Sequence, residues 1–498
     1  MSTLIEFIDT SVRDGNQSLW SATGLNTGEV LAIAPQMDSV GYHALDFTSS
    51  THLAVSVRYH QEDPWERLRL VSAAMPQTPL TFLTTGTRFI SWRPAADDVL
   101  ELAFATAVRN GVRRFQIMHP SNDAAALHSL ARMARRAGAQ EVVLALTYSL
   151  SPVHDDAHFA ARIGELTATR DAERFYLKDP GGLLVPERTR VLVPLLVAAA
   201  GERPVEVHSH CTTGLAPLVY LEAARAGARA LHTAVRPLAC GTSQPSTQMT
   251  AHNLREEDFS HALDEQALAL TSDYFAELAA AKGLPTAVMP EYDAAYYRHQ
   301  LPGGMASTMR RQLEEMRRGD LFDAALEEVE RVRAELGYPI MVTPLSQFVA
   351  TQAVMNLLAP ERYANVPDEV VRMALGQFGE PAAAPDAGVL ERILSSPRAQ
   401  ELRTLEPLTL EGARERFGAR CSDEELLLRL TMPSEQVDAM LAAVAGSCAP
   451  ARGHVPQAQR RPRSPIVTLL RELDRRPSVT SLQVRSADEL VRWRRDAR

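Results

Sequence analysis

Apolar residues in the first 240 positions fall into short runs separated by longer amphipathic stretches. The runs are LIEFIDT (4–10), HALDF (43–47), PLTFLTT (79–85), VRRFQIM (112–118), EVVLALT (141–147), RFYLK (174–178), PVEVHSH (204–210) and RALHTAV (229–235). Short runs rich in β-branched and aromatic residues predict strands. The intervening stretches repeat apolar residues every three or four positions and close on glycine, as in DDVLELAFATAVRNG (97–111). That pattern predicts helices. Eight strand–helix units in this length predict an α/β fold, a (β/α)8 TIM barrel. A doubly wound open sheet shares the alternation, but no GxGxxG turn opens the first unit.

Past residue 265 the strand signal fades. HALDEQALALTSDYFAELAAAKG and DLFDAALEEVERVRAELG are amphipathic and end in glycine. The expected organisation is a barrel over 1–264 followed by a mainly helical C-terminal domain over 265–447. Residues 448–463 are rich in proline and arginine and suit a linker. Residues 464–498 hold one helical pattern, PIVTLLRELDRR, and one strand pattern, VTSLQVRS, a small docking or appendage segment.

Composition narrows the function classes. The 498 residues are 45% hydrophobic and 23% charged, enough to bury several cores. A formal net charge of -9 gives no electrostatic reason to expect nucleic acid or an anionic membrane as partner. No apolar window reaches the roughly 18 residues of a membrane span. The first residues lack a basic start and apolar run, so a cytoplasmic protein is expected. Cys211, Cys240, Cys421 and Cys448 are scattered without metal-finger spacing, consistent with a reduced compartment.

Candidate chemistry lies at the C-terminal ends of the strands, where barrels carry their active sites. Strand 1 runs into SVRDGNQS, with Arg13, Asp14 and Gln17. Strand 6 ends in YLKDPGG, with Lys178 and Asp179. Strand 7 ends in VEVHSH, with His208 and His210 two apart and therefore on one face. The two histidines are either metal ligands or two polar side chains sharing that face. One carboxylate and two imidazoles converging from separate strands suit a divalent cation. Of 52 basic residues only Lys178 and Lys282 are lysine. An amine can become a nucleophile or take up carbon dioxide as a carbamate ligand, and a guanidinium cannot. Lys282 ends a helix, where a cation suits the dipole.

Eight stretches in order resemble one family: DTSVRDGNQSLW, EDPWERLRLV, YLKDPGGLL, VHSHCTTGLA, GTSQPSTQ, HQLPGGM, VTPLSQFVATQAVMNLL and VPDEVVRMALGQFGEP. The resemblance is to the carboxyltransferase domain of pyruvate carboxylase, the oxaloacetate decarboxylase alpha subunit and the transcarboxylase large subunit. It implies a barrel-bound divalent metal, zinc first and manganese or cobalt by the same donors, held by Asp14, carbamylated Lys178, His208 and His210. It further implies that Gln17 and Arg13 face a substrate carbonyl, that Thr343 shuttles a proton between substrate and biotin, and that Ser346 lines the biotin pocket. A homo-oligomer, such as a dimer, is also expected.

The resemblance breaks in the substrate set. Family members that use pyruvate carry aspartate, arginine and tyrosine where this chain has Ala54, Thr85 and Trp92. Arg88 is near enough in sequence to substitute for the arginine. Gln116 and His119 also depart from the family pattern, while Gln347 occurs in the decarboxylase branch. Neither lysine lies in a turn suited to biotin attachment, so biotin is expected on a separate biotin carboxyl carrier protein, with a biotin carboxylase subunit as a further partner. The expected function is metal-dependent carboxyl transfer or decarboxylation on a carbonyl substrate other than pyruvate. A biotin-independent lyase of the same barrel type and a non-catalytic scaffold subunit are the alternatives.

Overall fold

The computed structural model describes residues 3–86, 95–418, 420–446, 481–485 and 490–494. Its centre is a closed barrel of eight parallel strands: β1 (Glu6–Asp9), β2 (Ala44–Ser49), β3 (Leu80–Thr85), β4 (Val112–Met118), β5 (Glu141–Thr147), β6 (Arg174–Asp179), β7 (Val205–Ser209) and β8 (Ala230–Thr233). The eight predicted strands are all present, with β4 and β5 at their predicted limits. β2 runs on to Ser49 because it feeds directly into the helix Ser50–Val55. Closure comes from β8 pairing with β1 in parallel, Glu6 opposite Ala230 and Asp9 opposite Thr233.

Local chemistry explains where the helices begin. Asn26 and Glu29 form a reciprocal capping box at Thr27–Asp38. The carboxylates of Asp63, Asp123 and Asp155 accept from first-turn amides of the helices that follow β2, β4 and β5. Each helix then turns its apolar stripe onto the barrel wall, giving one continuous core that includes Trp65, Phe104, Phe115, Phe159 and Phe175.

Period-two alternation sends one row of each strand inward. On β4 that row includes Arg114, on β6 Arg174, and on β7 Glu206. Arg114 crosses the interior to place Nη2 2.6 Å from both oxygens of Glu206. Its Nε donates to Glu141, which also accepts from Arg174. The lower barrel is thus closed by a network of buried charges rather than by branched apolar side chains.

The helix Glu265–Lys282 packs Leu268 and Phe275 into the barrel core, and Gly283 caps it in the left-handed region at φ 65°. Lys282 bonds to Glu29 and to the Gly24 carbonyl, the structural role expected for it. A second core, around Leu301, Val329, Val349 and Val370, joins the helices between residues 303 and 403. The chain then returns to the barrel. The helices Asp423–Thr431 and Ser434–Gly446 add Leu427, Val437 and Met440 to the first core. Trp65 Nε1 donates to the Glu424 carbonyl at 3.1 Å, and Arg69 and Asn110 hold the Glu424 carboxylate at 2.9 and 2.8 Å.

One more contact decides the shape of the barrel mouth. Ile340 and Val342 insert among Leu83, Met118, Val143, Ala145 and Tyr176 of the strands. Arg333 ties the same region to the loop after β5 by donating to Ser149 Oγ and the Leu150 carbonyl at 2.9 and 2.6 Å. A separate unit, residues 449–498, contains an antiparallel pair, β9 (Ser481–Arg485) and β10 (Leu490–Arg494). β9 falls within the predicted VTSLQVRS strand. The predicted helix PIVTLLRELDRR lies outside the described residues, as does the linker 448–463.

Truncating Trp65 tests whether the returning helices lean on this side chain. Trp65→Ala removes a fully buried indole and its bond to Glu424. The expected loss is ~3–5 kcal/mol in urea unfolding. Trp65→Phe should lose clearly less. Equal midpoints for Trp65→Ala and the unaltered chain would show that the indole is not part of the stabilising core.

Candidate metal centre

Asp14 sits in a one-turn π-helix, Ser11–Gly15, that leaves β1 at the mouth of the barrel. Its Oδ2 lies 3.3 Å from His208 Nε2 and 3.3 Å from His210 Nε2. All three side chains are buried. A tetrahedral cation with bonds of about 2.0–2.1 Å needs ligand atoms about 3.3 Å apart. Both Asp14 contacts match that spacing.

The hydrogen-bond partners fix which ring nitrogens are available. His210 Nδ1 donates to the Thr242 carbonyl at 2.6 Å, which leaves Nε2 as the nitrogen that faces Asp14. Burial first, and then the Lys178 charge, hold the His208 pKa well below the imidazole range, so this ring is neutral. Burial alone would raise the Asp14 carboxyl. Arg13 foremost, with His210 and His208, holds it well below the usual carboxylate range instead.

Gln244 marks the point where these donors meet. Its Nε2 lies 2.9 Å from Asp14 Oδ2, 3.0 Å from His210 Nε2 and 3.4 Å from His208 Nε2. The Oε1 accepts from the hydroxyls of Thr10 and Ser243 at 2.8 and 3.2 Å, which directs the amide N–H groups toward the three ligand atoms. Asp14, His208 and His210 thus gather three ligand atoms of the right chemistry around one point, so the residues present fit a divalent metal.

Lys178 lies beside this face, its Cα paired with that of His208 across β6 and β7. Burial and then the Arg13 charge bring its pKa down to about 8. Arg13 Nε donates to Asp46 Oδ2 at 2.8 Å, and Nη1 lies 3.3 Å from Asp14 Oδ1. Burial alone would lower the Arg13 pKa, but these two carboxylates push it up. Asp179, the other acid at the end of β6, is a loop brace. It accepts from Leu183 N, Leu184 N and Ser209 Oγ. Gly182 keeps that loop tight at φ +67°, where a Cβ would lie 2.4 Å from the His210 carbonyl.

A cavity of about 700 Å³ opens above the ligands. Arg13, Asp14, Gln17, Thr85, Met118, Lys178, His210 and Thr343 line it, which brings most of the predicted site together. The Gln17 amide makes no side-chain hydrogen bond among the described residues, although it reaches the cavity wall. Ser346 departs from expectation. It lies one residue inside the helix Leu345–Leu358, fully buried, and its hydroxyl donates to Met305 Sδ at 3.0 Å. Met305 is the residue on the wall. Ala54 packs against the barrel core, and Gln116 is buried within β4. Arg88 and Trp92 lie outside the described residues.

Sequence reasoning missed Gln244, although it falls in the GTSQPSTQ stretch. Extending the strand-end rule to the loop after β8 would have found it. It also missed the hydroxyls of Ser49, Ser50 and Thr51 after β2, and Ser307, Thr308 and Arg311 from the helix Gly303–Glu315.

Comparison with known proteins follows the same two-part division. An HMGL-like family profile matches residues 4–274, and a conserved carboxylase domain profile matches 296–448. A pyruvate carboxylase subunit of Methanocaldococcus jannaschii is 37% identical over 392 residues, covering 78% of this chain and 68% of its own length. The 2-oxoglutarate carboxylase large subunit of Hydrogenobacter thermophilus is 30% identical over 457 residues, covering 89% and 69%. The carboxyl transferase domain of Rhizobium etli pyruvate carboxylase, solved with pyruvate and biocytin, shares the fold at a TM-score of 0.80. Its identity is 23%, with 90% of this chain and 79% of that one covered.

Metal analysis tests the face directly. The purified chain should hold close to one divalent cation, and His208→Ala or Asp14→Ala should lose most of it. Equal, negligible metal in all three proteins would return the two histidines to the role of polar side chains sharing a strand face.

Proposed function

This chain belongs to the carboxyltransferase family of pyruvate carboxylase, the oxaloacetate decarboxylase alpha subunit and the transcarboxylase large subunit, and on that premise we propose that it transfers a carboxyl group in a reaction dependent on a divalent metal and on biotin. One observation carries this reading. The two matched segments meet at a single cavity, with Asp14, Lys178 and His210 from the first and Thr343 from the second.

The cation, zinc first and manganese or cobalt by the same donors, would be held by Asp14, His208, His210 and Lys178. When bound it supplies a Lewis acid for a carbonyl or enolate oxygen. Gln17 donates an amide N–H to that oxygen. Arg13 keeps Asp14 ionised and also bonds to Asp46. The Thr343 hydroxyl passes a proton between the acceptor carbon and the biotin ring, a task for a weak acid–base held in line between the two. Lys178 serves as a carbamate. Its lowered pKa leaves a fraction as free amine near neutral pH; that nitrogen adds to the carbon of carbon dioxide and gives up a proton to solvent, and the product is an anionic oxygen ligand.

Biotin arrives on a carrier outside these residues. Lys178 is buried in β6, and Lys282 is bonded to Glu29 at a helix end, so neither is an exposed attachment site. Relatives whose names make them single subunits of carboxylases and of a carboxyltransferase support a multisubunit assembly with a biotin carrier and a biotin carboxylase.

The acceptor in this reading is a carbonyl compound other than pyruvate. Thr85, Ser49, Ser50 and Thr51 make the wall rich in hydroxyls, and the Arg13 guanidinium is already engaged by two carboxylates. A second reading, pyruvate itself, is favoured by two archaeal relatives named as pyruvate carboxylase subunits, at 37% and 33% identity. Carboxylation of pyruvate, 2-oxoglutarate and an acyl thioester with a charged carrier separates them. The expected kcat/KM for pyruvate lies below roughly 10⁴ M⁻¹s⁻¹; a higher value establishes the second reading. Turnover unchanged without biotin would replace both with a lyase.

Lys178→Arg tests the carbamate. The variant should lose bound metal and activity although it keeps a cation. In the unaltered chain, ¹³C-labelled carbon dioxide should mark Lys178 increasingly as pH rises toward 8, because the free amine is the nucleophile. An arginine variant with full metal content would reduce Lys178 to a charge.

A further inference from the structure

We propose that His232, backed by Glu206, is a positioning residue that holds His208 in the one tautomer able to bind the divalent cation. The inference rests on the metal reading above and extends it to side chains that never touch the cavity.

Glu206, His208 and His210 alternate along β7 and share its inward face. On the neighbouring strand, β8 pairs Ala230 with Glu206 and Leu231 with Val207. The next step of that register sets His232 beside His208. Both rings are fully buried, with Nδ1 facing Nδ1 at 3.3 Å. Two such nitrogens can share only one proton in a hydrogen bond, so one of them must donate and the other accept.

Glu206 decides which. Its carboxylate takes two contacts from Arg114 Nη2 at 2.6 Å and a further one from Arg174 at 3.5 Å, so it is ionised and only accepts. His232 Nε2 lies 2.8 Å from Glu206 Oε2 and must therefore donate. With its single ring proton on Nε2, His232 presents a bare Nδ1 to His208. His208 must then carry its proton on Nδ1, which leaves Nε2 bare and directed at the metal face. Tyr176 stacks on the His232 ring at 5.4 Å and 9°, which holds the ring plane for both bonds. The Gln244 amide nitrogen, which can only donate, lies 3.4 Å from His208 Nε2, in keeping with a bare nitrogen at that edge.

The contrast with His210 sharpens the assignment. His210 is oriented by a backbone carbonyl, which no substitution of a side chain removes. His208 is oriented by another side chain and, through it, by a charge at the bottom of the barrel. Partners of this kind commonly contribute 10–100-fold to metal affinity.

The test reads ring protons and metal affinity separately. In metal-free protein, ¹⁵N NMR of the histidine rings should show His208 protonated on Nδ1. His232→Leu should remove that preference and weaken zinc binding about 10–100-fold in a chelator competition, with the His210 ring unchanged. His232→Gln can accept from His208 and donate to Glu206, and should recover most of the affinity. A proton on Nε2 of His208 in the unaltered metal-free chain would overturn the proposal, as would a folded His232→Leu with the original tautomer and affinity. Should His232→Leu fail to fold, the unaltered chain's tautomer decides. Absence of zinc binding in the unaltered chain would sink the metal reading instead, while the tautomer still judges the relay.

Discussion

A carboxylate buried at the mouth of a barrel beside two buried imidazoles is the constraint around which this molecule is arranged. Desolvating Asp14 costs several kcal/mol unless a cation answers it. Arg13 answers it only in part, because Asp46 claims the same guanidinium. With Lys178 protonated, it and Arg13 offset Asp14 and Asp46; with Lys178 as a free amine, the group of Asp14, Asp46 and Arg13 carries one uncompensated negative charge. With Lys178 as a carbamate it carries two. A divalent cation would neutralise it, and Asp14 Oδ2 already stands 3.3 Å from the Nε2 of each histidine.

The lower barrel serves the same end. Charged residues there are paired across the interior, Arg114 with Glu206 and Glu141, Arg174 with Glu141 and Glu6. Such networks are a poor source of stability by themselves, but they give a buried interior a definite orientation. Here that orientation reaches upward through His232 to His208. The polar floor and the polar mouth are parts of one arrangement, with Tyr176 as the wall against which the connecting ring lies.

The helical segment contributes the other half of the site by a different physical route. Ile340 and Val342 are drawn into the apolar gap between Leu83, Met118 and Ala145, and the next residue, Thr343, is carried to the cavity wall. Hydrophobic burial thus positions a hydroxyl that has no charged partner among the described residues. Ser346 shows the limit of the same insertion. Three residues further on the chain is already helical, and the hydroxyl faces Met305 instead of the cavity.

Strands, helices and the inward face of each strand were legible in the chain itself, because period two and period three-to-four are properties of neighbouring residues. That is why VEVHSH announced two histidines on one face and why the strand-end rule reached Asp14, Gln17 and Lys178. Ordered motifs also announced the family. The partners of those residues were not legible. Gln244 meets Asp14 across 230 positions and Arg13 meets Asp46 across 33. His232 meets His208 only because β7 and β8 take one register and not another. A pattern of faces says which way a side chain points. Closure of β8 onto β1 and the docking of a distant helical segment decide what it points at, and both are settled by packing between segments that the local pattern does not relate.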